Sequence, residues 1–418
     1  MRFDESNRLR DRAKRLIPGG AHTYSKGDDQ FPQLSPGFIT HAKGSLAWDP
    51  DGNEFLDWGM GLRSVCLGHA YEPVLDVVRT QLEKGVNFTR PSLLEADLAE
   101  LLVDIVPSAE MVKFAKNGSD VTTAAVRLAR AYTGRDRIIR CQDHPFFSVD
   151  DWFIGDTAMD AGIPQSSKDL TLNFPFNDAT ALERLLDTHK GQIACIILEA
   201  AATAAPAPGF LERVRALSTQ HGVVLIFDEI ISGFRWHLRG AQHFYGVTPD
   251  LITFAKGVTS GYVPLGGVIV SGQIYDTFAH RPYPGGLTYS GHPLAAAAAV
   301  ATIETMRAEG IVENAARLGK DVLGPGLSAL VDKHACVGEV RGLGAFWAVE
   351  LVTDKVTREP LAPYGSSSPA MGEVLAALKK GGVLPFANFN RIHLVPPCNI
   401  SDDDARDAIS ALDEALSV

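Results

Sequence analysis

Val223-Val-Leu-Ile-Phe-Asp228-Glu229 is a short apolar run that ends in two carboxylates. Its branched and aromatic side chains are typical of a buried β-strand. Similar runs recur along the middle of the chain and alternate with segments of helical periodicity. This alternation predicts an α/β fold with a mainly parallel central sheet and helices on both faces. The strand-like runs are 138–139, 193–198, 223–227, 251–254 and 267–270, and the helical segments are 121–132, 179–186 and 210–221.

The two ends of the chain have a different pattern. Residues 6–16 read as an amphipathic helix, residues 44–57 as a hairpin around an Asp-Pro-Asp-Gly turn, and the part after Pro293 as a long helix and a mixed segment with a strand at 345–351. We expect an N-terminal arm and hairpin over 1–60, a large domain over 61–293 and a small C-terminal domain over 294–418. The terminal segments together should form a smaller α+β domain.

Composition excludes several classes of function. The 418 residues carry a formal charge of -11, so that a basic surface for nucleic acid is not expected. The five cysteines lack the paired spacing of metal sites, which predicts no metal and reduced thiols in a cytoplasmic protein. The charged N-terminus and the absence of a long apolar run predict neither a signal peptide nor a membrane anchor.

Lys256 and Asp228 carry the most specific chemistry in the sequence. Each follows an apolar strand, at Asp250-Leu-Ile-Thr-Phe-Ala-Lys256-Gly257 and at the run that ends in Asp228. A buried lysine loses its charge readily and can form a Schiff base with a carbonyl. A carboxylate that pairs with a pyridinium nitrogen completes the pattern of pyridoxal phosphate. Taken singly, each residue is also explained as a charged group at a strand end.

The segment Asn117-Gly118-Ser119-Asp120 predicts a phosphate site. It follows the run 111–115 and opens a helix near Val121, so that free backbone amides and the helix dipole face one point. A dianionic phosphate is the natural ligand for such a turn. From the residues alone, Ser119 and Asp120 are explained equally well as ordinary helix N-caps.

Four ordered blocks of the chain resemble the class III aminotransferases, in particular the subgroup of glutamate-1-semialdehyde aminomutase. The resemblance implies the fold type I of pyridoxal-phosphate-dependent transferases and spans nearly the whole chain. The blocks are residues 116–120 with the following 126–130, residues 224–235, Phe254-Ala-Lys256-Gly257, and residues 286–294.

The resemblance implies a role for each residue of these blocks. Lys256 would hold the cofactor and shuttle the proton, and Asp228 would keep the pyridine nitrogen protonated. Thr288 would complete the phosphate shell of the neighbouring subunit, which implies a homodimer with the active site at the subunit interface. The cofactor-binding set implied is Gly118, Ser119, Asp120, Asp228, Ile230, Lys256 and Thr288, with Ile230 against one ring face unless it is simply a core residue.

The chain departs from the family where the other ring face is covered. The usual aromatic-His-Gly turn reads Asp143-His144-Pro145-Phe146-Phe147 here, so that either His144 or Phe146 is expected to stack on the ring. Glu199 matches the family's Glu-Pro pair, but Ala200 replaces the proline. We expect a loop of different shape after Glu199.

Three residues are candidates for substrate binding. Tyr24 and Arg63 fall in stretches that line the substrate side of the cofactor in the resembling enzymes. A guanidinium group such as that of Arg63 can donate two parallel hydrogen bonds to a carboxylate or phosphate. Arg63 is explained equally well as a surface residue of a loop. His393 stands where an arginine is common. The usual carboxylate anchor is therefore expected to be altered or moved.

The function predicted is amino transfer from an amine or amino acid donor to a ketone or aldehyde acceptor in two half-reactions. An intramolecular aminomutase, which needs no separate donor, is the alternative. A dinucleotide-binding dehydrogenase is disfavoured because the turn at Gly118 lacks the spaced glycine triplet. A non-catalytic binding module is disfavoured because both Lys256 and Asp228 are present.

Overall fold

A computed structural model describes residues 1–27, 35–280, 282–283, 285–363 and 366–417. The chain forms two compact units, the first made of Met1–Glu72 and Gly310–Val418, and the second of Pro73–Glu309. The N- and C-terminal segments therefore share one unit. The domain boundaries expected after residues 60 and 293 stay a prediction.

The first 72 residues contain an amphipathic helix and a small antiparallel sheet. Acidic residues in the first turn of the helix and basic residues in its last turn complement the helix dipole. The predicted hairpin is confirmed, because its two strands pair through Leu46 and Leu56, and Asp49 Oδ1 accepts the N–H groups of Asp51 and Asn53 in the turn. The elements are α1 (Asp4–Leu16), β1 (His41–Lys43), β2 (Leu46–Trp48), β3 (Glu54–Asp57) and the short turn α2 (Met60–Arg63).

The second unit has the predicted alternation of strands and helices. Its helices are α3 (Glu72–Lys84), α4 (Leu93–Ile105), α5 (Gly118–Thr133), α6 (Asp151–Ile154), α7 (Gln165–Lys168), α8 (Ala179–Thr188), α9 (Phe210–His221), α10 (Gly240–Tyr245), α11 (Gly272–Tyr275) and α12 (Pro293–Ala308). Its strands are β4 (Met111–Ala115), β5 (Arg137–Cys141), β6 (Thr171–Phe174), β7 (Ile193–Leu198), β8 (Val224–Asp228), β9 (Leu251–Phe254) and β10 (Gly266–Val270).

These seven strands form one sheet in the order β4-β10-β9-β8-β7-β5-β6. The pairs from β9 to β6 are parallel, whereas β10 is antiparallel to both of its neighbours. The sheet is therefore mainly parallel, as predicted. Strands β7, β8, β9 and β10 are buried at every residue, which explains their continuous apolar sequence.

The last hundred residues complete the first unit with a second antiparallel sheet. Strand β14 pairs in parallel with β3, which joins the C-terminal segment to the N-terminal sheet. The elements are α13 (Ile311–Leu318), α14 (Gly324–Lys333), β11 (Val337–Leu343), β12 (Phe346–Asp354), β13 (Glu359–Pro360), α15 (Pro369–Lys380), β14 (Val383–Leu384), β15 (Phe386–Asn388), β16 (Arg391–Leu394) and α16 (Asp402–Ala415).

Each unit has its own hydrophobic core. In the second unit α5 packs its buried face on the sheet, with Val121, Ala125 and Leu128 inaccessible or nearly so. In the first unit helices α13 to α16 pack around Trp58 and the inner face of β12. A rigid sheet and a buried helix thus support the loops at the carboxyl ends of β8 and β9.

Candidate active site

The carboxyl ends of two adjacent parallel strands bring Asp228 and Lys256 to the same edge of the sheet. Asp228 is the last residue of β8 and lies opposite Thr253 of β9. Lys256 follows the end of β9 by two residues, and its positive charge acts on the Asp228 carboxylate. Ligands of open α/β sheets bind at the carboxyl ends of the strands, so that this edge is the candidate active site.

Asp228 is a buried carboxyl group held in a fixed orientation. Its Oδ1 accepts the N–H of Ile230 at 2.9 Å and the hydroxyl of Thr253 at 3.1 Å. Burial raises the pKa of Asp228 to about 6, although the Ile230 amide, the Thr253 hydroxyl and the Lys256 charge all oppose this rise. A carboxylate that is costly to bury is stabilised by a cationic group placed against it. The protonated nitrogen of a pyridine ring is such a group.

Lys256 has a strained backbone. Its φ of 43° lies in the left-handed region, and it opens a 3-10 turn over Lys256–Thr259 that ends at Ser260 with φ 47°. Left-handed backbone costs a residue with a side chain roughly 1–2 kcal/mol, and such strain is concentrated at functional sites. Lys256 as a whole is partly buried.

The predicted phosphate turn is the N-terminus of α5, which begins at Gly118 rather than near Val121. Asn117 is the N-cap, and its side chain accepts the N–H of Asp120 at 3.0 Å. The Ser119 hydroxyl accepts the N–H of Val149 at 3.2 Å. Within the described part of the chain, the N–H groups of Gly118 and Ser119 have no hydrogen-bond acceptor. Two amides at the positive end of a 16-residue helix fit a phosphate group.

Ile230 connects the phosphate turn to Asp228. A Cβ added to Gly118 would lie 2.8 Å from Ile230 Cδ1, so that the isoleucine side chain packs directly on the glycine. Ile230 follows Asp228 by two residues and donates the N–H that binds Oδ1. The structure therefore brings Gly118, Asp228 and Ile230 together, and their role in cofactor binding stays a prediction.

His144 and Glu199 form a second contact that joins distant parts of the sequence. The N–H of Glu199, the residue after β7, donates to His144 Nδ1 at 3.1 Å. Burial, followed by the charge of Arg140, lowers the pKa of His144 to about 3, which keeps the ring neutral. The proton of the neutral ring is assigned to Nε2, because Nδ1 accepts.

Phe146 differs from His144 in its surroundings. Its ring is 41% exposed and packs edge-on against Phe153, with the centroids 5.5 Å apart. His144 is 3% exposed, between Phe147 and Phe176. Only Phe146 therefore presents an accessible ring, while the stacking residue itself stays a prediction.

Thr288 lies on an exposed segment of the second unit. The next residue, Tyr289, has the Lys116 ammonium group 5.4 Å from its ring centroid. Lys116 directly precedes the N-cap Asn117. The exposed hydroxyl of Thr288 is accessible to another molecule, and its assignment to a neighbouring subunit stays a prediction.

Two of the predicted substrate-binding residues meet in the first unit. The Arg63 guanidinium lies over the ring of Phe386, 4.9 Å from its centroid, and the His393 ring lies 5.7 Å from the same ring. Burial, followed by the charges of Arg63, Arg391 and Arg341, holds the pKa of His393 well below 6.5. Arg63 is therefore more than a surface residue of a loop. The side chain of Tyr24 lies outside the described residues.

Two polar residues beside Asp228, Thr253 on the neighbouring strand and Glu229 next in the chain, have no role that the sequence predicted. Thr253 donates its hydroxyl to Asp228, and its only signal is a polar residue inside the apolar strand Leu251–Phe254. Glu229 accepts the N–H groups of Ala241 and Gln242 at 2.9 and 3.0 Å and so caps α10. Burial raises the pKa of Glu229 to about 7.

The family model for "Aminotransferase class-III" matches residues 25–416. The chain belongs to the class III aminotransferases. Pyridoxal phosphate is the cofactor of this family, and the site has groups that fit it. They are the buried carboxyl group of Asp228, the amine of Lys256, and the two N–H groups at the N-terminus of α5. The aminotransferase thus has the fold and the cofactor that its sequence predicted.

Three solved structures illustrate how similar this aminotransferase is to known enzymes. An omega-transaminase from Sphaerobacter thermophilus is 27% identical, with 99% of this chain and 97% of that chain covered and a TM-score of 0.87. An amine transaminase from an uncultivated Pseudomonas species, with pyridoxal phosphate bound, is 28% identical, with 96% and 98% covered and a TM-score of 0.85. The taurine:2-oxoglutarate aminotransferase from Bifidobacterium kashiwanohense, in complex with the cofactor and glutamate, is 32% identical, with 91% and 92% covered and a TM-score of 0.81.

These comparisons establish the type of reaction. The aminotransferase moves an amino group between a small-molecule donor and a keto acceptor, with pyridoxal phosphate as cofactor. They do not favour the aminomutase alternative, and the resemblance to the glutamate-1-semialdehyde subgroup stays a prediction. In the described ranges every helix is too short or too polar to cross a bilayer.

Proposed function

We propose that Lys256 and Asp228 are the catalytic residues of this aminotransferase. One observation carries the proposal: Asp228 ends one of two adjacent parallel strands and Lys256 follows the other, and Ile230 packs on Gly118 at the N-terminus of α5. A carboxylate, an amine and an anion-binding turn therefore converge on one edge of the sheet. This combination matches the three polar features of the cofactor.

Each of these residues has a distinct task in the proposed mechanism. Pyridoxal phosphate, when bound, supplies a carbonyl that condenses with an amine and a ring that accepts an electron pair. The Asp228 carboxylate keeps a proton on the ring nitrogen, because a cation there offsets the cost of burying the charge. Lys256 Nζ would take the proton from the substrate carbon that bears the amino group and pass it to the carbon of the cofactor, and it would carry a proton in the opposite direction in the second half-reaction. The N–H groups of Gly118 and Ser119 bind the phosphate, with Asp120 in the same turn.

We also propose the other cofactor contacts. Ile230 would lie against one ring face, His144 or Phe146 against the other, and Glu199 beside them. The hydrogen bond between Glu199 and His144 supports a shared role for these two residues, because it locks the loop after β7 to the loop after β5. The accessible ring of Phe146 supports it as the stacking residue.

A homodimer is part of the proposal. The exposed Thr288 would donate its hydroxyl to the phosphate bound by the partner subunit. Light scattering on the purified protein would test the assembly, and Thr288→Val should weaken cofactor binding without changing the spectrum of the bound cofactor. A monomer that binds the cofactor with full affinity would contradict this part.

We further propose a cytoplasmic enzyme with an amine or amino acid as donor and a ketone or aldehyde as acceptor. The five cysteines are all free thiols, which is typical of a reducing compartment. Tyr24, Arg63 and His393 would contact the substrate. The donor can be identified by adding glutamate, alanine and a simple amine in turn and following the visible absorbance, which is lost when the cofactor takes up the amino group.

The decisive experiment replaces Lys256 with alanine. The variant should keep its fold and its ability to bind the cofactor, but it should lose the visible absorbance of the lysine-bound form and amino-transfer activity. Lys190→Ala, at an exposed lysine of the same unit, is the matched control and should behave as wild type. Amino transfer at the normal rate by Lys256→Ala would refute the assignment.

A further inference from the structure

The loop between β5 and α6 is attached to the first two turns of α5. Its residues 143–149 include both candidates for the residue that covers the second ring face, His144 and Phe146. The Thr122 hydroxyl lies 2.9 Å from the carbonyl oxygen of Phe147 and 3.1 Å from two carbonyl oxygens of its own helix. A hydroxyl has one proton, so that the nearest acceptor, in the loop, is favoured. Thr122 is fully buried, and within the described residues this carbonyl has no other donor.

A second connection runs through three buried side chains. Trp152 Nε1 donates to Thr123 Oγ1 at 2.8 Å, and the hydroxyl oxygens of Thr123 and Ser148 are 3.0 Å apart. Ser148 Oγ also lies 3.4 Å from the carbonyl oxygen of Ser119. One assignment of the protons satisfies every group: Thr123 donates to Ser148, and Ser148 donates to Ser119. This series of hydrogen bonds therefore ends on the backbone of the predicted phosphate turn.

The side chain of Ser119 also joins the loop to the phosphate turn. Its Oγ accepts the N–H of Val149 at 3.2 Å, and its own hydroxyl proton has no acceptor within the described residues. A phosphate oxygen is a strong acceptor for this proton because it is charged. A hydroxyl that donates to an anion becomes a better acceptor, since hydrogen bonds in series polarise one another. Phosphate at this turn would therefore strengthen the bond from Val149.

The two bonds from the loop to Ser119 are longer than the others. They measure 3.2 Å from Val149 N and 3.4 Å from Ser148 Oγ, whereas typical lengths are about 2.9–3.0 Å for N–H···O and about 2.7–2.8 Å for O–H···O. The other side-chain bonds between the helix and this segment are 2.8, 2.9 and 3.0 Å long. The bond from Val149 is exposed, so that water competes with it. The bonds nearest to the phosphate turn are thus the ones that a ligand can shorten.

We propose that Thr122, Thr123 and Ser148 are positioning residues, which couple phosphate binding at the N-terminus of α5 to the order of the loop over 143–149. When phosphate accepts the Ser119 proton, the bond from Val149 tightens and the loop is held in the conformation that covers the ring. The identity of the ligand rests on the proposed function. The coupling goes beyond that function, because it links the phosphate end of the cofactor to its ring through side chains of the protein.

The coupling can be measured by dividing the cofactor into two ligands. Pyridoxal has the ring and the aldehyde but no phosphate, and inorganic phosphate supplies the missing anion. Pyridoxal is titrated into the cofactor-free full-length protein in phosphate or in chloride of equal ionic strength, and binding is followed by the visible absorbance of the lysine-bound form. We expect phosphate to raise the affinity for pyridoxal about fivefold or more, which is the size of a typical coupling between two ligands.

Substitutions separate the coupling from the phosphate site itself. Thr122→Val removes the bond to Phe147 with little change of shape and should reduce the effect of phosphate to roughly twofold or less. Ser148→Ala, which breaks the second connection, should do the same. Thr122→Ser keeps the hydroxyl and should retain the full effect. Thr133→Val removes a hydroxyl from the last turn of the same helix, as a matched control, and should leave the effect of phosphate unchanged.

Hydrogen exchange measures the order of the loop directly. In the wild-type protein without cofactor, inorganic phosphate should slow exchange of the Val149 amide about fivefold or more, as measured by mass spectrometry on peptides from residues 143–152. Thr122→Val should lose most of this protection. A merely structural role of Thr122 would give a different result, because exchange would then rise equally with and without phosphate.

Three results would each overturn the proposal. The first is the same affinity for pyridoxal in phosphate and in chloride, and the second is exchange of the loop that phosphate does not change. The third is a full effect of phosphate in both Thr122→Val and Ser148→Ala, with circular dichroism showing that the variants are folded. Failure of the proposed function is distinct, because neither pyridoxal nor pyridoxal phosphate would then produce visible absorbance in the wild-type protein. Hydrogen exchange still decides in that case whether phosphate orders the loop.

Discussion

Replacing Asp228 with asparagine should stabilise the cofactor-free protein at neutral pH while abolishing its activity. Burial raises the pKa of Asp228 from 3.8 to about 6 in the folded protein. A raised pKa in the folded state means that the carboxyl group favours folding when protonated and loses this contribution as the pH rises to about 6. Above that pH, the buried charge costs about 3 kcal/mol relative to the unfolded chain.

The pH dependence isolates this effect from the other consequences of the substitution. Asparagine keeps an acceptor for the N–H of Ile230 and the hydroxyl of Thr253, and it carries no charge at any pH. The effect of its packing on the free energy of unfolding is therefore the same at every pH. Linkage predicts that the stability of Asp228→Asn relative to wild type grows by about 1.4 kcal/mol between about pH 5 and about pH 8. For a chain of this size the difference in Tm should widen by roughly 2 °C.

Thermal unfolding of both cofactor-free proteins at these two pH values measures the effect. Asp97→Asn, at an exposed carboxylate on α4, is the control and should show a constant difference from wild type. The reasoning is refuted if Asp228→Asn and wild type differ by the same Tm at both pH values, or if the variant becomes relatively less stable as the pH rises. Amino transfer by Asp228→Asn should fall by orders of magnitude, because the ring nitrogen loses the partner that keeps it protonated.

Three further substitutions test the surroundings of Asp228. Gly118→Ala places a methyl group 2.8 Å from Ile230 Cδ1 and should weaken cofactor binding at least about tenfold. The double variant with Ile230→Val should recover part of this affinity. Unchanged affinity in a cofactor titration would contradict the tight contact. Glu229→Ala leaves two buried N–H groups of α10 without an acceptor. Urea unfolding should therefore show a free energy of unfolding that is lower by about 1–3 kcal/mol. An unchanged free energy of unfolding would show that this cap is unimportant. Thr253→Val removes a hydroxyl that lowers the pKa of Asp228. The acidic limb of the pH–rate profile should therefore move to higher pH. A shift of this limb to lower pH would contradict the prediction.

Local sequence was sufficient to predict most elements of the second unit. Strand β8 and helix α9 were expected within two residues of their observed ends, because burial on both faces imposes a continuous apolar run and helical periodicity is a local property. The apolar run of residues does not predict the direction of β10 in the sheet. A buried apolar strand has the same sequence pattern whether it runs parallel or antiparallel to its neighbours. Only the pairing of β10 with β4 and β9 shows that it is antiparallel.

The choice between His144 and Phe146 shows a different limit. Both are ring-bearing residues of one short loop, and the sequence offered no reason to prefer either. In the folded chain His144 is fixed in the interior by the N–H of Glu199, a residue 55 positions away, whereas Phe146 stays accessible. Burial depends on contacts across the fold, which a short segment does not encode.

The sequence by itself determined the family and the cofactor and predicted the roles of Lys256 and Asp228, because side-chain chemistry and strand-end patterns are local. Tertiary structure decided which groups tune that chemistry. Thr253 reaches Asp228 across 25 residues through the register of two strands, and Arg63 meets His393 only because distant segments pack around Phe386. The pKa of a carboxyl group and the orientation of a guanidinium depend on burial and neighbours, and both arise only when the chain folds.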